Sequence, residues 1–381
     1  MYLKKVALVM PIFVLLSVSL FNPVYAIPAF ARLHGVPCAN CHTAWPQLNE
    51  TGREFKESGY RFPDELDEEK TLSEFFEETF PISGVIVARP FDKKENGDHK
   101  IRALHEAEIL VAGALGSKWS GSFEIEAEDE TDFKPEVAGA TLNYNYLPAL
   151  NVQFAWGSYM ESDAYGFLGD KFRLTRGHVK LIDEAFGKAD GEGSLRSTRQ
   201  SVGIYGRPVK NLFYNLGYSG IASDAEGEDA SNLHARIAYD IKPGIMLGAF
   251  TINGENSTTD QGFMRNGIDF QADIGNARIQ GAYLKAEDDI LDGIGTEENN
   301  IFSLQSMYVF KQGKHPTWVP LVRYDSYERN DGLDVYDELT FNLTYYFSQN
   351  VKGYFEYWKQ LDVPDGETEN SRITFQIALA F

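Results

Sequence analysis

Cysteine is almost absent from this chain, with two residues in 381. A disulfide framework is therefore excluded, since one bridge is the most that could form. Basic residues are scarce as well. The 35 Lys and Arg are outnumbered by 56 Asp and Glu, for a formal net charge of −21. Binding to a phosphate backbone needs a basic footprint, so nucleic acid is excluded as a partner. Beyond residue 26 no apolar run reaches the ~20 residues of a membrane helix. Any membrane span after that point must be made of strands. Methionine is missing between Ile27 and Thr79, which narrows the choice of metal ligands there.

What is present first is a leader. Lys4 and Lys5 precede an apolar run from Val6 to Phe21, and Val24-Tyr25-Ala26 closes it with a small residue. This is the pattern of a secretory signal cleaved near Ala26. An uncleaved anchor is the other reading. The predicted organisation has three parts: a signal peptide over 1–26, a small segment over 27–79, and the rest over 80–381.

Both cysteines stand in Cys38-Ala39-Asn40-Cys41-His42. C-x-x-C-H is the spacing of c-type haem attachment. Two thiols one helical turn apart reach the two vinyl groups of one porphyrin, and the adjacent imidazole meets the iron from the same side. A redox disulfide is the rival reading, but it needs a βαβ context that does not follow here. Cys38 and Cys41 are expected to hold one covalent haem c, with His42 as a ligand of its iron. A segment of this size is marginal without such a centre or packing against another domain. Its acidic tail, Asp64 to Glu78, has helical spacing at Leu72, Phe75 and Phe76 and reads as a solvated helix face.

The other axial ligand of a c-type haem is often Met or a second His. His34 lies only four residues before Cys38. It would need a tight chain reversal to reach the opposite haem face, and it reads as a surface residue. His234, beside Arg236 and Asp240, and Met307, between Gln305 and Val309, both face inward by strand parity. Each reads first as lumen lining. A five-coordinate iron is the remaining alternative.

After Phe80 the pattern changes to short alternating runs broken by Gly, Asn, Asp and Pro. In the last run Ile373, Phe375, Ile377, Leu379 and Phe381 share one face. In another, Trp119, Phe123 and Ile125 oppose Glu124, Glu126 and Glu128. Sixteen runs are found, near 80–91, 101–116, 118–130, 135–147, 149–160, 198–208, 210–222, 231–242, 244–254, 263–275, 276–287, 299–311, 316–328, 336–348, 350–361 and 370–381. Most reach the ~9–11 residues needed to cross a bilayer at a tilt. Short turns alternate with longer loops, the longest near 161–197. That is the signature of an outer-membrane barrel.

The fold expected is mainly β: an antiparallel outer-membrane β-barrel of about sixteen strands, with a small N-terminal haem-c segment. An even strand count puts both barrel ends on the periplasmic side. A barrel of this size encloses a lumen, which leaves room for the haem segment as a plug. Loop 161–197, carrying Arg173, Arg176, His178 and Lys180, is long enough to fold inward. Three acidic stretches fall on the outer side. They are Asp224, Glu226, Glu228 and Asp229, then Glu287, Asp288, Asp289, Asp292, Glu297 and Glu298, then Asp362, Asp365, Glu367 and Glu369. Carboxylates suit hard cations and could steer them inward, though solvated loops are the plainer reading.

The stretch Ile27-Pro28-Ala29-Phe30-Ala31-Arg32, the Cys38 to His42 pentapeptide, and then Pro46, Leu48, Gly52, Phe55, Gly59 and Tyr60 resemble the head of the fused monohaem cytochrome c–porin family. The resemblance covers residues 27–60 and is one of architecture beyond. It implies an outer-membrane iron(II)-oxidising cytochrome: an electron-transfer oxidoreductase that takes electrons from extracellular Fe(II), passes them to a periplasmic cytochrome and sits in outer-membrane lipid. No catalytic acid or base is implied. The alternatives are electron export to an extracellular acceptor, and a solute porin with a haem-bearing plug.

Overall fold

Alternation along a strand makes one face apolar and the other polar, and here all sixteen long runs do this together. In the computed structural model they close into one antiparallel barrel. The residues described are 28–66, 71, 82–165, 167–168, 173–186, 189–190, 193–227, 232–256, 259–290 and 295–381. The leader up to Ala26, the acidic tail around Leu72, Phe75 and Phe76, and Glu228, Asp229 and Asp292 lie outside these residues.

The N-terminal segment consists of α1 (Ala29–His34), a 3-10 turn (Cys38–Asn40), β1 (His42–Ala44), β2 (Gln47–Leu48), α2 (Glu50–Glu57) and a 3-10 turn (Pro63–Glu65). The barrel follows as β3 (Ile82–Lys94), β4 (His99–Leu115), β5 (Trp119–Glu128), β6 (Glu136–Leu147), β7 (Leu150–Gly157), β8 (Arg199–Val209), β9 (Leu212–Ser219), β10 (Asn232–Lys242), β11 (Ile245–Asn256), β12 (Gln261–Ile274), β13 (Ala277–Asp289) and β14 (Thr296–Tyr308). A small hairpin, β15 (Lys311–Gln312) and β16 (His315–Pro316), interrupts the series in what the sequence shows as a plain turn. Then come β17 (Trp318–Arg329), β18 (Asp334–Ser348), β19 (Val351–Asp362) and β20 (Ser371–Ala380). Each strand pairs with its neighbour, and β20 pairs with β3 to close the barrel.

Closure is sealed at the C-terminus. Gly84 N–H donates to Phe381 O at 2.8 Å and Phe381 N–H to Gly84 O at 2.9 Å. A Cβ on Gly84 would come within 2.7 Å of the Phe381 ring, so this position holds a residue without a side chain.

The barrel inverts the soluble pattern. Ile109, Phe123, Leu142, Phe341 and Ile373 point outward and are exposed, while Thr340, Asn342, Thr344 and Thr374 point inward and are buried. Trp119, Tyr146, Tyr308 and Trp318 stand exposed at the end that carries the short turns. An outward apolar band with aromatic girdles and a polar interior is the build of an outer-membrane barrel. Backbone groups can cross hydrocarbon in this form because every strand edge is paired. No described helix is long and apolar enough to cross a membrane.

The 158–198 connection folds into the lumen. Its helix α3 (Lys180–Asp183) buries Leu181 and Ile182 against Phe250, Ile252, Leu284 and Ile301 of the wall. Arg323 fixes the same loop by donating to Thr175 Oγ1 at 2.8 Å and His178 O at 2.9 Å. Arg176 bonds Asp92 at 3.0 Å.

Candidate functional site

The N-terminal segment is bonded to the inner wall near the short-turn end. Cys38 N–H donates to Gln349 Oε1 at 2.9 Å. Tyr346 OH donates to Trp45 O at 2.6 Å, and Lys352 Nζ sits 4.3 Å from the centre of the Trp45 ring. Arg278 Nη2 reaches Thr43 Oγ1 at 3.0 Å and Leu48 O at 2.9 Å. Arg61 donates to Gly116 O and Trp119 O at 2.8 and 2.9 Å. Glu57 is clasped by Arg207, with Nη2 to Oε1 at 3.1 Å. These bonds make the segment a plug.

Local sequence chemistry builds the CxxCH turn. Pro37 sets an extended entry. Cys41 N–H then donates to Cys38 O at 3.1 Å, which draws both cysteines onto one tight turn. Asn49 caps α2 by accepting from Gly52 N–H at 3.0 Å, and its own N–H donates to Cys41 O at 2.9 Å. Gly52 lets α2 lie directly on that carbonyl. A Cβ there would overlap Cys41 O and come within 2.9 Å of Leu48 Cδ2.

His42 opens β1, and its Nδ1 lies 3.1 Å from Pro46 O. The carbonyl accepts from Nδ1–H, so the lone pair is on Nε2. Burial pushes the imidazole down to about 4, which keeps it neutral, the form that ligates metal. Cys38 and Cys41 are free thiols, and burial pushes Cys38 up to about 11.

A cavity of about 320 Å³ adjoins these three residues. Leu48, Phe55, Tyr60 and Phe62 line it from the plug, and Ser83, Val85, Leu110, Ala112 and Ala380 from the wall. The volume lies in the ~300–1,000 Å³ range of cofactor and ligand sites. Paired thiols, a neutral imidazole with Nε2 available and a mostly apolar cavity fit a haem c.

His34 lines the same cavity. The surface position expected for it is corrected: its side chain is 9% exposed, with Nδ1 3.1 Å from Glu65 Oε1. The reversal is supplied by Gly35, at φ +62°, which ends α1 and returns the chain toward Cys38. Phe55 and Phe62 hold the His34 ring edge-on, with centroids at 5.5 and 4.8 Å. His234 is buried on β10 against Tyr159 and does not line the cavity. Met307 packs with Ala44, Leu174 and Tyr346, also away from it.

Above the plug a second cavity of about 560 Å³ runs from Trp45 and Pro46 to Thr131 and Ser223. One wall is a ladder of carboxylates: Glu106 and Glu108 from β4, and Glu124, Glu126 and Glu128 from β5. Glu108 and Glu124 line both cavities. Alternation alone assigns Glu124, Glu126 and Glu128 to one face of β5. Their juxtaposition with β4 depends on strand register, which alternation does not encode. The outer acidic stretches, among the described residues, form no cluster of converging metal-ligand atoms.

No family model matches this chain, and no curated protein matches it in sequence. Solved structures do. The anion-selective porin of Comamonas acidovorans aligns with a TM-score of 0.59 at 14% identity, over 79% of this chain and 98% of that one. OmpF of Salmonella typhi, in complex with daunomycin, aligns at 0.58 and 13% identity, over 79% and 97%. OmpT of Vibrio cholerae aligns at 0.55 and 12% identity, over 79% and 96%. The shared property is the fold, that of a bacterial outer-membrane porin.

Proposed function

We propose that this protein is a porin-type barrel that transfers electrons across the outer membrane through one c-type haem carried on its plug. The observation that carries the reading is the apolar cavity bounded by Cys38, Cys41 and His42 inside the lumen. A haem c bound there supplies a one-electron centre between the two faces of the membrane. Cys38 and Cys41 would hold it by thioether bonds, and His42 Nε2 would ligate the iron with Pro46 O fixing the tautomer. His34, the other histidine on that cavity, would be the candidate second ligand of the iron. Following the resemblance of residues 27–60, the donor is extracellular Fe(II) and the acceptor a periplasmic cytochrome. The glutamate ladder of β4 and β5 supports a cationic donor at that wall, with Arg89, Arg173 and Lys352 on the same cavity.

The test uses full-length protein made with cytochrome c maturation. One covalent haem per chain by pyridine haemochrome, reduced on anaerobic stopped-flow mixing with Fe²⁺, is the expected outcome. Absence of covalent haem defeats the reading. A haem that Fe²⁺ cannot reduce turns it toward electron export.

A second reading, a solute porin whose plug carries haem, is favoured by the fold shared with porins. Planar-bilayer conductance separates the two. Electron transfer expects conductance well below that of an open porin, because the plug and the inward loop occupy the lumen. Open-porin conductance would favour solute passage.

A further inference from the structure

A histidine and two of the lumenal glutamates form a second candidate site. β4 and β5 pair with Glu106 opposite Glu128 and Glu108 opposite Glu126. Like charges directly opposite each other destabilise a strand pair. Among the described residues no Lys or Arg forms an ion pair with Glu108, Glu126 or Glu128. Beside them stands His105, 2% exposed. Its Nδ1 lies 2.8 Å from Asp129 Oδ1 and 3.2 Å from Arg102 Nη1; in the tautomer that donates Nδ1–H to Asp129, the lone pair is on Nε2. Nε2 has no hydrogen bond and faces Glu106 Oε2 at 3.8 Å. One His105 ring nitrogen and one oxygen each of Glu106 and Glu128 lie within 4.8 Å of one another. Two donors bound to one ion at ~2.1 Å stand roughly 3–4 Å apart, so modest side-chain rotation closes the shell.

We infer that His105, Glu106 and Glu128 bind a divalent first-row metal ion in the lumen. One imidazole with two carboxylates suits Zn²⁺, Fe²⁺ or Mn²⁺. Asp129 acts as the positioning residue, holding the imidazole as carboxylate partners of metal-bound histidines do. A second grouping, His105 with Asp129 and Glu130, is already neutralised. Arg102 Nη1 pairs with Glu130 at 2.6 Å and Nε with Asp129 at 3.4 Å. Among the described residues Glu106 and Glu128 have no Lys or Arg in ion-pair contact, Arg89 and Arg173 standing farther off on the same cavity, and an added metal ion would relieve their repulsion. Glu106 is two residues, ~7 Å along the strand, from Glu108, which lines both cavities. The inference does not depend on the haem.

Zn²⁺ is the probe, because it is redox-inert and its X-ray absorption edge is separate from that of iron. Full-length protein in detergent, stripped of metal, is titrated by equilibrium dialysis and examined at the Zn K-edge. Expected are one saturable Zn²⁺ per chain and a shell of N and O at ~2.0–2.1 Å that includes one imidazole. Glu128→Gln should weaken binding at least ~10-fold, and Asp129→Asn ~10–100-fold. Glu226→Gln, in an outer loop, should change nothing. No saturable Zn²⁺, a shell without imidazole, or unchanged affinity in Glu128→Gln would overturn the inference. Glu128→Gln removes a like-charge contact and is expected to fold, so it decides the matter even if His105→Gln does not.

Discussion

The two sides of the lumen handle buried charge in opposite ways. Along β10 to β17 the carboxylates have arginines. Arg236 bonds Asp163 at 2.8 Å and also Asp269, Arg265 bonds Asp288 at 2.7 Å, Arg278 bonds Asp273 at 2.6 Å, and Arg323 bonds Asp325 at 2.7 Å. Apart from the half-buried Asp273 these pairs are nearly solvent-free, and several also tie the inward loop or the plug to the wall. Across the lumen, β4 and β5 set glutamate against glutamate. The first side is complete within the chain. The second has Arg89, Arg173 and Lys352 on the same cavity, but among the described residues no Lys or Arg in ion-pair contact with Glu106, Glu108, Glu126 or Glu128, and it leads to the cavity beside Cys38, Cys41 and His42. The contrast separates a wall held by ion pairs from one where like charges face each other.

The sharpest way to break the comparison is at Arg236. Arg236→Met leaves Asp163 and Asp269 buried without their partner. Removing one member of such a pair costs about 3–5 kcal/mol, read as a lower thermal midpoint of the heat-modifiable form. If Arg236→Met unfolds like the native chain, the first wall does not depend on its ion pairs.

Next in size is the plug. Gly52→Ala places a methyl on Cys41 O, and overpacking of this kind costs about 1–3 kcal/mol. The expected result is a loss of covalent haem per chain while the barrel keeps its heat-modifiable migration. Equal haem content would show that α2 can move away from the CxxCH turn.

The opposite sign is expected on the glutamate wall. Glu126→Gln removes a like-charge neighbour of Glu108 and should leave stability unchanged or raise it by up to ~1 kcal/mol. A clear loss of stability would mean that this wall, too, is internally compensated.

Spectroscopy sharpens the site itself. With haem attached, His34→Ala should convert a low-spin spectrum to a high-spin one, and His234→Ala should not, because only His34 lines the cavity. Low-spin spectra in both variants would remove both histidines.

The smallest effect concerns Asp183, on the inward loop outside the spanning strands. Burial alone would raise this carboxyl, but Arg196, with help from His178 and Lys180, outweighs burial and holds it below the usual range. A depressed carboxyl contributes stability above its unfolded value of ~3.9, and that contribution is lost as pH falls through the lower folded value. Protease protection of the loop should therefore weaken in acid below about pH 4, and less so in Asp183→Asn.

Much of the fold is legible in the sequence, because period-two alternation is a local property. It identified each of the sixteen barrel strands, and Leu379 out with Ala378 in needs no tertiary knowledge. The CxxCH pentapeptide is likewise local, since its chemistry depends on spacing along one turn. Less was legible wherever partners are distant in sequence. His34 reads as a surface residue because nothing nearby announces Glu65, Phe55 and Phe62 closing around it. His234 and Met307 are inward by parity, as the alternation indicates, but parity says nothing of height or direction within a lumen.

The CxxCH motif and the membrane-barrel pattern were thus properties of the sequence by itself, because both are written in contacts of a few residues. Tertiary structure decided that the plug is bonded to β8, β13, β18 and β19 and that Glu106 meets Glu128. It also decided which carboxylates have arginines. The physical reason is closure. Joining β20 to β3 sets one register for the whole ring, and only that register determines which inward side chains, dozens or hundreds of residues apart, come within reach of one another.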